Sequence, residues 1–194
     1  YKPSPSFVSI HLGINKNILS NNFNCHHIIV EDWEELENEK GVIFISIPTL
    51  LDSSLAPEGK HIIHAFTPSS LNEWDNLSRK EYLKKKEEYF SFIINKINKI
   101  IPDIENNIDH KEIGTPRTHK KFLNRYQGSY GPIPQRKLLG LLPMPFNTTK
   151  INNLYCVGDS CFPGQGLNAV AFSGYACAHK IGSKLNINSE KLPK

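Results

Sequence analysis

The chain of 194 residues has no run of about 18 consecutive apolar residues, so no segment of it reads as a bilayer-spanning helix. Cysteine is scarce. Cys25, Cys156, Cys161 and Cys177 match no zinc-ligand spacing and do not suggest a disulfide-dependent scaffold in a chain this long, so a reducing compartment fits. The histidines form no strong metal set either. His26 and His27 are adjacent and point to opposite sides of a strand; His61 and His64 flank two isoleucines and make at most a weak pair; His119 and His179 read as surface or hydrogen-bonded helix residues. A large excess of one charge is also missing: 23 basic against 19 acidic residues leave a formal net charge of +4, which is no sign of nucleic-acid binding. At Tyr1 there is no basic segment followed by an apolar one. The chain starts inside structured sequence and is read as a fragment or a processed product.

A hydrophobic content of 39% is enough to bury a core. Ser6 to Leu12 alternates polar and apolar residues as a half-buried strand does, and Cys25 to Val30, Gly41 to Ile47 and Lys60 to Phe66 are further candidates. The connections at Asn15 to Asn24 and Leu51 to Lys60 are about hairpin-loop size, too short for parallel crossovers, so a mostly antiparallel sheet is expected. Ser78 with Glu81 has capping-box spacing. Leu83, Phe90, Ile93, Ile94, Ile97 and Ile101 then form one apolar helical face, with Pro102 as the expected stop. The basic residues gathered from Arg79 to Lys99 fall largely on the other face and read as its wetted side, with an anionic membrane surface as the lesser alternative. Ile108 to Gly114 reads as a strand, and Thr115 with Pro116 as the start of a helical turn. Gln127 to Phe146, rich in glycine and proline, reads as a long ordered loop or a domain crossing.

The strongest signal is Leu154 to Gly182. A short buried strand, Leu154 to Val157, leads into a glycine-rich turn, Gly158 to Gly166, and a helix from Asn168 to Ile181 capped by Gly182. Gly164 and Gly166 permit close approach to the main chain, and a helix start offers unpaired N–H groups to a phosphate or an electron-rich ring edge. Asp159 suits hydroxyls rather than phosphate. The small side chains of Ala169, Ala171, Ser173, Gly174, Ala176 and Ala178 argue for close helix packing, and a tight turn with a densely packed helix and no ligand is the alternative. Gly164, Gly166 and Ala169 imitate a first-strand dinucleotide fingerprint, but about six residues separate the strand from the first glycine and no acidic residue stands about 20 positions on. The true fingerprint is absent. Ser160 lies in no nucleophile elbow, so hydrolysis is a weak reading.

Several segments carry a resemblance: Ser46–Thr49, Leu55–Gly59, Gly114–His119, Gly128–Pro134, Leu141–Thr149 and above all Cys156–Gly174. On these the chain resembles the C-terminal part of the carotenoid cis-trans isomerase family, the prolycopene isomerases, within the phytoene-desaturase-like FAD-dependent oxidoreductases. The resemblance implies an α/β with α+β fold: the C-terminal part of a Rossmann-type FAD-binding domain plus a sheet-and-helix substrate domain, with the N-terminal dinucleotide fingerprint missing. Residues 1–107 would be the substrate-binding portion. Residues 108–194 would be the crossing segment, forming a tunnel wall, and the return part of the FAD domain. The resemblance further implies FAD in its reduced form as cofactor, a hydrophobic polyene as substrate, and redox-neutral conversion of poly-cis to all-trans lycopene. Gly158 and Asp159 would lie on the ribityl-phosphate side of the flavin, and Gly166, Leu167, Asn168 and Ala169 near its ring system. No catalytic acid or base and no metal ligand is assigned. A carotene desaturase or retinoid saturase of the same superfamily is the first rival, and a non-catalytic scaffold fragment the second. Activity of the 194 residues alone is doubtful on this reading, since half of the FAD site is missing. A plastid location is implied, with peripheral membrane contact left open, no nucleic-acid partner, and oligomeric state not assigned.

Overall fold

The computed structural model describes residues 2–20, 22–36, 38–133 and 144–187. The chain divides into two compact units, residues 5–128 and residues 1–4 with 129–194.

The unit of residues 5–128 is built on strands β2 (Ser6–Asn15), β3 (His26–Val30), β4 (Val42–Ser46), β5 (Lys60–Ser69) and β6 (Ile108–Gly114). They follow the spatial order β3-β4-β5-β2-β6, and every neighbouring pair is antiparallel. The antiparallel expectation holds, but only in part by hairpins. The connection after Asn15 leads from β2 to the far edge strand β3, because β5 and β6 occupy both flanks of β2. β6 belongs to this sheet, beyond the 107/108 division read from sequence.

Alternation sorts the residues. Val8, Ile10, Leu12 and Ile14 on β2, Ile43 and Ile45 on β4, and Ile63 and Ala65 on β5 are all buried. Helix α1 (Arg79–Ile97) covers most of this face, held at its start by the reciprocal Ser78 and Glu81 capping bonds. Its Phe90, Ile93, Ile94 and Ile97 join the strand residues in one core. Two expectations need correction. Leu83 is half-exposed, lying near the helix start away from this core, and the helix ends at Ile97 with Asn98 as its C-cap rather than at Pro102. Ile101 still reaches the core through turns that bond the Ile100 and Ile101 N–H groups to the Ile97 carbonyl.

A second cluster, Val8, Trp74 and Tyr89, closes one end of this core. The Ser69 hydroxyl accepts from the Trp74 indole at 2.9 Å and donates to Glu39 at 2.9 Å, and Tyr89 donates to the same carboxylate. Burial, with the Glu39 carboxylate beside it, pushes the Tyr89 phenol far above its ordinary range. The basic run on α1 is partly neutralised by Glu73 against Lys85 and Glu31 against Lys96, as a wetted helix face would be. Among the described residues no helix is long and apolar enough to cross a membrane.

In the other unit, β1 (Lys2–Pro3) pairs with β7 (Pro132–Ile133), and α3 (Leu167–Lys184) is its long helix. Leu154 to Val157 is not a buried strand. Only Tyr155 forms a bridge, to Thr148, and Leu154 and Val157 are largely exposed, because no further described strand flanks them. α3 starts one residue before the expected span and runs on past Gly182, which lies inside it; Leu185 is the C-cap and Asn186 takes the left-handed conformation. Much of the 127–146 crossing, residues 134–143, lies outside the described residues.

Ile93 is fully buried and Leu83 is half-exposed on the same helix. Ile93→Ala is expected to cost about 3 kcal/mol in urea denaturation, and Leu83→Ala under ~1 kcal/mol; equal losses would contradict the assigned faces.

Candidate functional site

Two constellations carry chemistry, one in each unit. In the unit containing α3, the glycine-rich turn packs on Met144–Asn147: Cys156 N–H donates to the Asn147 carbonyl and Phe162 N–H to that of Pro145, and the side chains of Phe146 and Phe162 meet at 5.4 Å. Gly158 N–H donates to the Ser173 hydroxyl at 3.2 Å, and the buried Ser173 sits on α3. The small residues of this helix therefore serve close packing at Ser173, while Gly174 has open space around it. Gly158 and Gly166 have φ of 111° and 96°, a region that disfavours side chains, and a Cβ at either would meet nothing within 4 Å.

Gly166 is the N-cap of α3 and makes no side-chain cap bond. The first intrahelical bond runs from Val170 N–H to the Gly166 carbonyl, so the N–H groups of Leu167, Asn168 and Ala169 have no acceptor within the helix. Leu167 is 85% exposed, so this positive helix end is open. Asp159 accepts from Ser160 Oγ at 3.3 Å, and its carbonyl lies 3.1 Å from where a Cβ on Gly131 would stand. The predicted residues therefore form two groups: Gly158 and Asp159 near Ser173, and Gly166 to Ala169 at the helix start. From Leu167 to Ser173 the helix rises about 9 Å. Burial pushes the Cys161 thiol up, with Cys156, Cys177 and Asp159 adding to the shift, which disfavours a reactive thiolate. All four cysteines are free.

In the unit of residues 5–128, the sheet face opposite α1 carries two transverse rows. Register aligns Gly114, Ser9, Phe66, Phe44 and Ile28 in one, and Glu112, His11, His64, Ser46 and His26 in the next. Phe44 stacks on Phe66 at 4.9 Å, Phe66 meets Phe7 edge-on at 5.8 Å, and Phe7 stacks on His119 at 4.0 Å. This aromatic track spans β4, β5, β2 and the short helix α2 (Pro116–Leu123). Sequence reading missed it, although Phe7, Phe44 and Phe66 all lie in strands it identified. Their alternation was visible, but which strands lie side by side was not.

Beside the track, the His11 and His64 rings meet at 4.7 Å, and His61 lies on the buried face, bonded to Thr49 at 2.8 Å. His119 is buried on α2 and bonded to the Phe7 backbone, the hydrogen-bonded helix residue rather than the surface one of the two alternatives. Burial holds its imidazole below the usual histidine range; the Phe7 carbonyl it bonds pulls the other way, and Arg125 and His11 depress it further. Burial and then His11 likewise lower His64. Among the described residues, no group of three or more His, Cys, Asp and Glu side chains is placed to hold a metal ion.

No protein-family model matches the chain. It is similar to prolycopene isomerases. Identity is 52% over 192 residues to "Prolycopene isomerase, chloroplastic" of Arabidopsis thaliana, covering 98% of this chain and 32% of that protein. For the Daucus carota protein of the same name the figures are 53%, 98% and 31%. A weaker likeness, 26% over 181 residues, joins 88% of the chain to 35% of 4,4'-diapolycopen-4-al dehydrogenase of Metabacillus indicus. In fold, the chain resembles an oxidoreductase from Methanosarcina mazei with a TM-score of 0.50 at 15% identity, covering 92% of this chain and 35% of that one. The chain thus spans about a third of the length of the curated relatives it matches.

The depressed His119 and His64 imply a pH effect of definite sign. Their folded values lie below the unfolded value near 6.5, so the unfolded chain binds more protons below that pH. Stability is expected to fall as pH drops below about 6.5 and to be flat with respect to these groups above it. His119→Phe should shallow that decline in urea midpoints; an unchanged slope would count against a buried neutral imidazole.

Proposed function

We propose that the chain is the C-terminal third of an FAD-dependent carotenoid isomerase that converts poly-cis lycopene to all-trans lycopene without net redox change. The observation carrying this reading is identity of 52% and 53% over 98% of the chain to proteins named prolycopene isomerase. The residues present fit the cofactor: there is open space at Gly158 and Gly166, and three N–H groups without helical acceptors stand at a positive helix end.

On this reading Gly158 lets the ribityl-phosphate arm pass close to the main chain, and Asp159 accepts hydrogen bonds from its hydroxyls. Gly166 clears the approach to the ring, and the N–H groups of Leu167, Asn168 and Ala169 face its electron-rich edge. Held there in reduced form, a flavin would supply electron density that lowers the bond order of a cis double bond and takes it back after rotation, leaving no net redox change. The chain's own share is binding and orientation, and no side chain is assigned to move a proton.

The substrate-binding part is assigned to the compact unit of residues 5–128, extending the portion read from sequence as residues 1–107, and its aromatic track offers ring faces to a polyene. The relatives named chloroplastic support a plastid location. A carotene desaturase or retinoid saturase of the same superfamily is the second reading; the weaker likeness to 4,4'-diapolycopen-4-al dehydrogenase supports redox chemistry on a carotenoid in general and neither of these in particular.

The test supplies the intact protein with reduced FAD and poly-cis lycopene and follows product mass and absorbance. An all-trans spectrum at unchanged mass is expected. Loss or gain of two hydrogens would transfer the assignment to the second reading. Asp159→Ala is expected to weaken FAD retention about tenfold, as befits loss of a charge-assisted hydrogen bond, and wild-type retention would remove Asp159 from the site.

A further inference from the structure

At the β2 and β6 end of the open sheet face, α2 leans over Gly114. The helix is fixed there by reciprocal bonds between Thr115 and Thr118 and by Pro116 in its first turn. This placement turns His119 inward, 7% exposed. One ring nitrogen is engaged by the Phe7 carbonyl, while Nε2 is buried without a hydrogen-bond partner. With the other nitrogen donating, Nε2 is left as a bare acceptor. A buried polar atom of this kind calls for an explanation.

The surroundings point to one. Ser9 pairs with Gly114 across the strands, and a Cβ at Gly114 would fall 2.6 Å from the Ser9 hydroxyl oxygen and 3.5 Å from His119 Cε1, the atom bonded to Nε2. There is therefore no room for a side chain at position 114, and glycine there lets the Ser9 hydroxyl and the His119 ring both close on this strand. A cavity of about 290 Å³ opens at this place, walled by Ile113, Phe122 and Leu123 as well as Ser9 and His119. It is at the small end of ligand pockets, suited to a chain end rather than a whole polyene.

We propose that this cavity binds the hydroxyl end of an apolar alcohol, whose O–H donates to His119 Nε2 and whose oxygen accepts from Ser9 Oγ. A hydroxyl both donates and accepts, so it is a neutral group that satisfies both partners at once. A carboxylate would meet a lone pair at Nε2 and the Glu112 carboxylate in the cavity wall, and a pure hydrocarbon would leave Nε2 unpaired. The apolar walls take the chain. Both Phe122 and Leu123 are exposed on the described surface, so the mouth of the cavity is open to it. The assignment does not depend on the carotenoid reading, and either can fail without the other.

Titration calorimetry of the intact protein with farnesol and with farnesene, its hydrocarbon counterpart, tests the inference. Farnesol is expected to bind about tenfold more tightly, the ratio that one satisfied buried hydrogen bond provides. Ser9→Ala, nearly isosteric, should remove most of that preference while leaving farnesene unchanged, and His119→Phe, which keeps the ring stacked on Phe7, should do the same. Leu123→Trp, at an exposed position in the cavity wall, should weaken both ligands. Equal affinities for alcohol and hydrocarbon, no farnesol binding, or full preference retained in Ser9→Ala would overturn the proposal. If His119→Phe fails to fold by circular dichroism, the Ser9 and Leu123 variants decide the matter.

Discussion

The ten-residue antiparallel pairing of β2 with β5 is the constraint on which the unit of residues 5–128 depends. With a side-chain period of two, this ladder commits Val8, Ile10, Leu12, Ile14, Ile63 and Ala65 to the buried side. The same pairing commits Phe7, Ser9, His11, His64 and Phe66 to the other. A slip of one residue would exchange the two sets, exposing isoleucines and burying imidazoles. The core clustered with α1 therefore locks the composition of the open face as firmly as its own.

Function and stability divide along that plane. On the covered side, α1 and the Ser69, Trp74, Tyr89 and Glu39 network fill the interior. On the open side, flat rings and imidazoles are held in rows by backbone register rather than by packing against a second layer. Phe66 is partly exposed on this face, with Phe7 and Phe44 half-buried beside it, so ring faces and imidazoles rather than aliphatic side chains line it. His119 links the two roles, because the α2 capping that stabilises a short helix also seats an acceptor at the end of the aromatic track.

The glycine-rich unit follows another logic. Gly158 and Gly166 take backbone angles that side chains resist and leave space beside them, and α3 presents an uncapped start. Leu167, Phe172 and Val157 are exposed on this unit, and the chain spans about a third of the length of the curated relatives it matches.

Local chemistry made much of this legible. Alternation marked the strand at Ser6, apolar runs bounded by glycine and proline marked others, and Ile108–Gly114 a fifth; Ser78 with Glu81 and Thr115 with Pro116 marked two helix starts; and the glycines from Gly158 to Gly166 marked a turn. Each depends on residues within a few positions of one another. The helix stop at Ile97, the exposure of Leu154 and Val157, the strand order, and the meeting of Phe7, Phe66, Phe44 and His119 were decided only in three dimensions. Period and capping are properties of a segment. Which strands become neighbours, and which face a helix covers, depends on partners distant in sequence, and that choice turned ordinary strand phenylalanines and one helix histidine into a surface with a use.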